Sequence, residues 1–210
     1  MKKQGTLVVV SGFAGTGKGT VMRELLSRYD SYALSISATT RNPRPGEVDG
    51  REYFFKTVEE FQTMIDHNDF VEFACYVGNY YGTPKKYVEE QLAAGKDVIL
   101  EIEIQGALKI KSQFPEALLL FIAPPSADVL KTRLVGRGTE TEDVIEQRLA
   151  RAVEESKGIE NYDYLVVNDD LDECVETVHR MIQSAGWKMS RRTEDVEELR
   201  KQISKFSKGE

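Results

Sequence analysis

The chain has 210 residues, 40% hydrophobic and 30% charged, with 28 Lys and Arg against 35 Asp and Glu, a formal charge of −7. That balance suits one substantial globular core and argues against a nucleic-acid-binding surface, so any phosphate chemistry must come from local arginine clusters. No apolar run approaches the roughly 18 residues of a membrane span, and Met-Lys-Lys-Gln-Gly before a short strand does not read as a secretory leader; a cytoplasmic protein is expected, with neither nucleic acid nor membrane as partner.

A strand is expected over 6–11, where Thr6-Leu7-Val8-Val9-Val10 is β-branched and apolar, as in a strand buried on both faces of a parallel sheet. The stretch VSGFAGTGKGTVMREL follows, with four glycines and one lysine just where the spacing turns helical, predicting a helix over 18–29. Gly12, Gly17 and Lys18 match the G-x-x-x-x-G-K part of a phosphate-binding loop, whose amides and helix N-terminus cradle phosphates while the lysine reaches them. The motif places Ser or Thr directly after the lysine to hold Mg²⁺. Here Gly19 stands there and the hydroxyl comes on Thr20, a step that turns a side chain by about 100° around a helix.

From the first helix to Pro84 the texture changes to alternating, aromatic-rich pieces at 34–37, 53–55 and 70–73, which predict a small, partly antiparallel sheet inserted into the core. Within it, Arg41 and Arg44 are separated by Asn42-Pro43. Prolines at 43 and 45 stiffen the chain so that two guanidinium forks can converge on an oxyanion, the alternative being a solvated turn. Ser37, Tyr53 and Tyr81 offer hydroxyls nearby. Glu72 sits among apolar neighbours, where a carboxylate must either accept hydrogen bonds from a ligand or pair with one of the arginines.

Beyond Pro84, strands over 97–103, 118–123 and 164–167 alternate with helices over 84–94, 105–113, 126–135, 141–157 and 172–185, the signature of an α/β fold. Glu101 and Glu103, two apart in the strand pattern, are expected on one side of it. Arg133 precedes a glycine-flanked turn holding Arg137, and Arg148 and Arg151 follow on a helix capped at Thr141; together they could close over a polyphosphate, or form a solvated helix face. Cys75 and Cys174 lack metal-ligand spacing and read as free thiols, and His67 and His179 fall in helical patterns that suit packing or surface roles. The charged stretch from Arg191 reads as a peripheral helix.

The motifs G-F-A-G-T-G-K, S-A-T-T-R-N-P-R-P-G-E with G-R-E-Y, F-V-E-F-A, G-N-Y-Y-G-T-P, I-E-I-Q-G-A, F-I-A-P-P-S, R-G-T-E-T-E and V-V-N-D-D-L resemble the guanylate kinases over residues 5–188. The resemblance implies a P-loop NTPase core with a parallel sheet flanked by helices (5–36, 84–125, 157–188), an inserted mixed-sheet GMP-binding subdomain (37–83) and a helical lid (126–156), beyond which the sequence leaves a charged tail (189–210). It implies transfer of a phosphoryl group from ATP to GMP or dGMP with Mg²⁺, in purine nucleotide metabolism. Carried over residue by residue, ATP falls to Gly12, Phe13, Ala14, Gly15, Thr16, Gly17, Lys18, Gly19, Thr20, Arg133, Arg137 and Asn168, and GMP to Ser37, Arg41, Arg44, Tyr53, Glu72, Tyr81, Thr83 and Glu103. Lys18, Arg41, Arg137 and Arg148 take the catalytic electrostatics, and Thr20 and Glu101 the metal. The family commonly has Asp-Ile-Asp where this chain has Glu101-Ile102-Glu103, so either carboxylate could face guanine and each reaches about one methylene further. The Gly-Lys-Gly-Thr form resembles adenylate kinases. Two alternatives stand beside this reading: a catalytically inactive protein-binding module of the same fold, and a nucleoside monophosphate kinase of other base specificity.

Overall fold

Strand β1 (Leu7–Ser11) is buried along its whole length because it lies at the centre of a sheet covered on both faces. The computed structural model describes residues 5–76, 78–136 and 141–208. After β1 come α1 (Lys18–Arg28), β2 (Tyr32–Leu34), β3 (Ala38–Thr39), β4 (Phe54–Phe55), α2 (Val58–Asp66), β5 (Phe70–Tyr76), β6 (Asn79–Pro84), α3 (Lys85–Ala93) and β7 (Asp97–Glu101). The chain continues through α4 (Ile104–Gln113), β8 (Leu118–Ala123), α5 (Ala127–Val135), α6 (Glu142–Ser156), β9 (Tyr164–Val167), α7 (Leu171–Ala185) and α8 (Thr193–Ile203). Among the described residues no helix is long and apolar enough to cross a membrane.

The core sheet runs β2-β7-β1-β8-β9, all parallel. Period-2 alternation sends Val8 and Val10 to one face, against Met22 and Leu25 of α1 and Val175 and Val178 of α7. Leu7 and Val9 go to the other, against Val88 of α3 and Ala107 and Ile110 of α4. The result is a three-layer α/β sandwich whose strand carboxyl ends all open on one edge, where such folds bind ligands.

A second, mixed sheet runs β4-β3-β6-β5, with β3 and β4 parallel and the other pairs antiparallel. Its own small core is Ala38, Phe61 and Phe70, with the two phenylalanine rings stacked 4.4 Å apart. Truncating a buried phenylalanine of this kind costs about 3–5 kcal/mol.

Three sequence expectations change. The piece at 34–37 is not a strand of the second sheet: residues 32–34 form the edge of the core sheet, registered Tyr32 to Asp97, and the second sheet starts only at Ala38. The strand expected over 97–103 stops at Glu101, and Glu103 is instead the N-cap of α4, so the two carboxylates do not share a strand face. Helix α2 was not expected. Its signal lies in Thr57-Val58-Glu59-Glu60, where the Thr57 hydroxyl accepts from the Glu60 amide and the Glu60 carboxylate accepts from the Thr57 amide. The tail does form a helix, α8, with no buried residue.

Candidate active site

The loop after β1 is wedged between strand ends. The Ser11 hydroxyl donates to Ile102 O at 2.6 Å, joining the ends of β1 and β7, and the Thr16 hydroxyl donates back to Phe13 O at 3.0 Å. Gly17, the N-cap of α1, has φ 88°, a left-handed conformation that disfavours side chains, and a Cβ there would stand 2.6 Å from Asn168 Nδ2. Phe13 and Ala14 pack against Leu130 and Leu134 of α5 and Ala152 of α6, so the helix pair α5–α6 is seated directly on the loop.

The Lys18 ammonium is folded back over the loop, donating to Gly12 O at 2.6 Å and Phe13 O at 3.2 Å. Those carbonyls satisfy a charge that the short first turn of α1 holds over the glycines. Glu101, at the end of β7, shares the cleft with it. Partial desolvation in the cleft pushes the Glu101 carboxyl up from the usual carboxylate range, although the residue keeps an exposed side, and the charge of Lys18 pulls it partly back.

Two cavities meet at this pair. One, about 520 Å³, is lined by Gly15, Gly17, Lys18, Thr20, Arg23 and Glu101, with Ala14 and Gly19. The other, about 220 Å³, is lined by Gly12, Lys18, Glu101 and Glu103, with Ile102, Ile104 and Glu155. Thr20 and Glu101 thus line one cavity despite the displaced hydroxyl, and Thr20 Oγ1 accepts from Arg23 Nη2 at 3.4 Å. A hydroxyl and a carboxylate are hard oxygen donors, the set that suits Mg²⁺.

On the second sheet, Arg41 was expected to converge with Arg44. The structure gives Arg41 a different partner: its Nη2 donates to both oxygens of Glu47 at 2.9 Å, and the Arg44 amide donates to Glu47 Oε2 at 2.7 Å, while the Arg44 side chain is exposed. The hydrogen bond from Arg41 holds the Glu47 carboxyl below its usual range. Glu47 was missed as a site residue; its signal is an acid six residues beyond Arg41 in the same Pro-Gly turn. The Arg41 guanidinium also lies 5.3 Å from the Tyr53 ring centroid, and the Tyr53 and Tyr81 rings are 6.1 Å apart, so these three residues do come together. Ser37, which precedes β3, is half-buried and accepts the Phe54 amide at its carbonyl.

Glu72 and Thr83 face each other across β5 and β6, and the Thr83 hydroxyl donates to Glu72 Oε1 at 2.9 Å. Among the described residues no arginine is its partner. Burial raises the Glu72 carboxyl, with the Thr83 hydroxyl and the charge of Lys109 opposing. Its other oxygen lies 3.6 Å from where a Cβ on Gly106, in the first turn of α4, would stand. Glu103 is the N-cap residue of that same helix, with no side-chain cap hydrogen bond, so both of the expected base-reading carboxylates lie at the N-terminus of α4. Glu103 Oε2 accepts from Arg151 Nη2 at 2.5 Å, and Arg151 Nε also donates to Glu155 at 3.0 Å, which ties α6 to α4.

The remaining expected residues divide. Arg133 Nη1 approaches Thr16 O at 3.5 Å, and Arg148 is half-buried on α6. Arg137 lies outside the described residues. Asn168, expected near adenine, is buried with its amide on Thr16 O at 2.7 Å.

A glycine-rich loop that joins the central parallel strand to a helix, carries a lysine and opens at the carboxyl edge of the sheet marks the α/β fold as that of a P-loop NTPase. The family model "Guanylate kinase" matches residues 4–185. Curated relatives include guanylate kinases of Halalkalibacterium halodurans, 48% identical over 94% of this chain and 97% of that protein, and Bacillus cereus, 54% identical over 86% and 88%. Among solved structures, the guanylate kinase of Anaplasma phagocytophilum superposes with a TM-score of 0.72 at 32% identity, covering 90% of each chain. The chain belongs to the guanylate kinase family.

Proposed function

We propose that the protein transfers the terminal phosphoryl group of ATP to GMP, and also to dGMP, yielding ADP and the nucleoside diphosphate. The observation that carries this reading is that Lys18 and Glu101 line both adjoining cavities, so that a donor phosphate at the loop and an acceptor phosphate beside it would meet at one cation and one carboxylate.

In the reaction an oxygen of the GMP phosphate attacks the γ phosphorus of ATP, the bond to the β,γ-bridging oxygen breaks, and ADP leaves with that electron pair. The transition state is loose and its charge sits on oxygens, so the protein's work is positioning and electrostatics rather than covalent chemistry. Lys18 and the loop amides hold the ATP phosphates. Arg41, with Arg44, Tyr53, Tyr81 and Ser37, binds the acceptor phosphate, and Arg133, Arg137 and Arg148 take up charge as α5 and α6 close over the donor. Glu72, Thr83 and Glu103 read the base. Guanine presents two adjacent donors, N1–H and the N2 amine, which an ionised carboxylate accepts; adenine offers an acceptor at N1 and no such amine. Thr20 and Glu101 would hold Mg²⁺, directly or through water, where it would neutralise the β and γ phosphates. Closure on the correct acceptor excludes water, which would otherwise take the phosphoryl group. The setting this activity fits is cytoplasmic purine nucleotide metabolism.

The test is coupled ADP release across GMP, dGMP, AMP, UMP and CMP with ATP and Mg²⁺. Turnover confined to GMP and dGMP supports the reading. Turnover with none of the five would favour a protein-binding module, and a preference for another base would reassign Glu72 and Glu103.

A further inference from the structure

Asn168 follows β9 and is buried, with its amide hydrogen-bonded to Ala123 O at 2.8 Å, at the end of β8. Its side chain crosses 152 positions of sequence to donate from Nδ2 to Thr16 O at 2.7 Å. Arg133 approaches the same carbonyl only at 3.5 Å, the limit of a hydrogen bond, so Asn168 is its principal donor. The fit is close on both sides: any Cβ on residue 17 would stand 2.6 Å from that same Nδ2.

A trans peptide is planar, with its C=O and N–H pointing in opposite directions. Holding the Thr16 carbonyl on Asn168 therefore points the Gly17 N–H the opposite way within the same peptide plane. Gly17 lines the larger cavity and is the N-cap of α1, so this peptide sets the direction from which the helix N-terminus meets an anion. The Asn168 side chain is buried with its Nδ2 on the Thr16 carbonyl and lines neither of the two cavities, so it stands behind the loop rather than beside a bound nucleotide.

We infer that Asn168 is a positioning residue for the phosphate loop: it orients the Thr16–Gly17 peptide toward the donor's phosphates and does not read the donor's base. The inference rests on the loop being the ATP-phosphate site. Asn168→Ala leaves the Thr16 carbonyl buried without its main donor, and Asn168→Asp sets a carboxylate against it. Each is expected to raise KM for ATP about tenfold, the scale of one buried group left unsatisfied, with KM for GMP within about twofold of wild type.

The deciding probe is inorganic tripolyphosphate, which carries phosphates and no base, used as a competitive inhibitor against ATP. Under the inference its Ki rises by the same factor as KM for ATP in both variants. A Ki that stays at the wild-type value while KM for ATP rises would place Asn168 on the base and overturn the inference. So would an unchanged KM for ATP in the folded variants, or failure of both to fold by circular dichroism, which would make the residue structural. Should tripolyphosphate not compete with ATP in the unaltered protein, the loop reading itself falls, and the inference with it.

Discussion

Replacing Glu72 by Gln removes the charge proposed to read the acceptor base while keeping side-chain size. One oxygen of Glu72 already accepts the Thr83 hydroxyl at 2.9 Å, and Gln can keep that bond through its carbonyl. What it cannot keep is the second acceptor, because the amide nitrogen is a donor and would face a donor of guanine. Losing a charge-assisted hydrogen bond costs about 1.5–3 kcal/mol, or about a ten- to hundredfold fall in kcat/KM for GMP. Burial raises the Glu72 carboxyl in the folded protein, so the folded state binds the proton more tightly and stability falls as pH rises from the unfolded carboxylate value through the raised one. Gln has no such titration, and thermal melts at neutral pH should find the variant as stable as wild type or more so. A protonated Glu72 is itself a donor, so the ratio of wild-type to variant kcat/KM, in which titrations of the GMP phosphate and of Glu101 cancel, should shrink as pH falls through the raised Glu72 value. Coupled ADP-release kinetics with GMP and AMP across pH measure all of this. If Glu72→Gln kept GMP turnover and the GMP-over-AMP preference within twofold, guanine would be read elsewhere, with Glu103 the first candidate.

Lys18→Ala removes the cation shared by both cavities and should drop turnover by at least two orders of magnitude with an unaltered circular dichroism spectrum; near wild-type kcat in the folded variant would remove the loop from the donor site. Arg148→Ala should lower kcat more than it raises KM for GMP, because in the proposed lid role the arginine acts mainly on the closed, charge-developing state, and a change in KM alone would dismiss that role. EDTA should abolish turnover and Mg²⁺ restore it, with Glu101→Gln shifting the Mg²⁺ titration several-fold to higher concentration; an unshifted titration would take Glu101 off the metal.

Much of the molecule was legible in the chain because local patterns carry it. Four apolar residues in a row, Leu7 to Val10, announced β1 as a doubly covered strand, and G-x-x-x-x-G-K between a strand and a helix announced the loop, since the φ of 88° at Gly17 favours glycine. The mixed second sheet also showed in its alternating aromatics. Short or locally ambiguous pieces did not: the three residues of β2 hold too little period to place, and the capping box of α2 sits amid aromatic strands that mask it. The side-chain partnerships were beyond sequence for a different reason. Lys18 on the Gly12 and Phe13 carbonyls, Arg41 on Glu47, Arg151 on Glu103 across 48 positions and Asn168 on Thr16 across 152 depend on where the folded chain places each backbone. Residue types state what a side chain can bond to; register and packing decide which partner stands within 3 Å, and that choice is made only when the strands and helices dock.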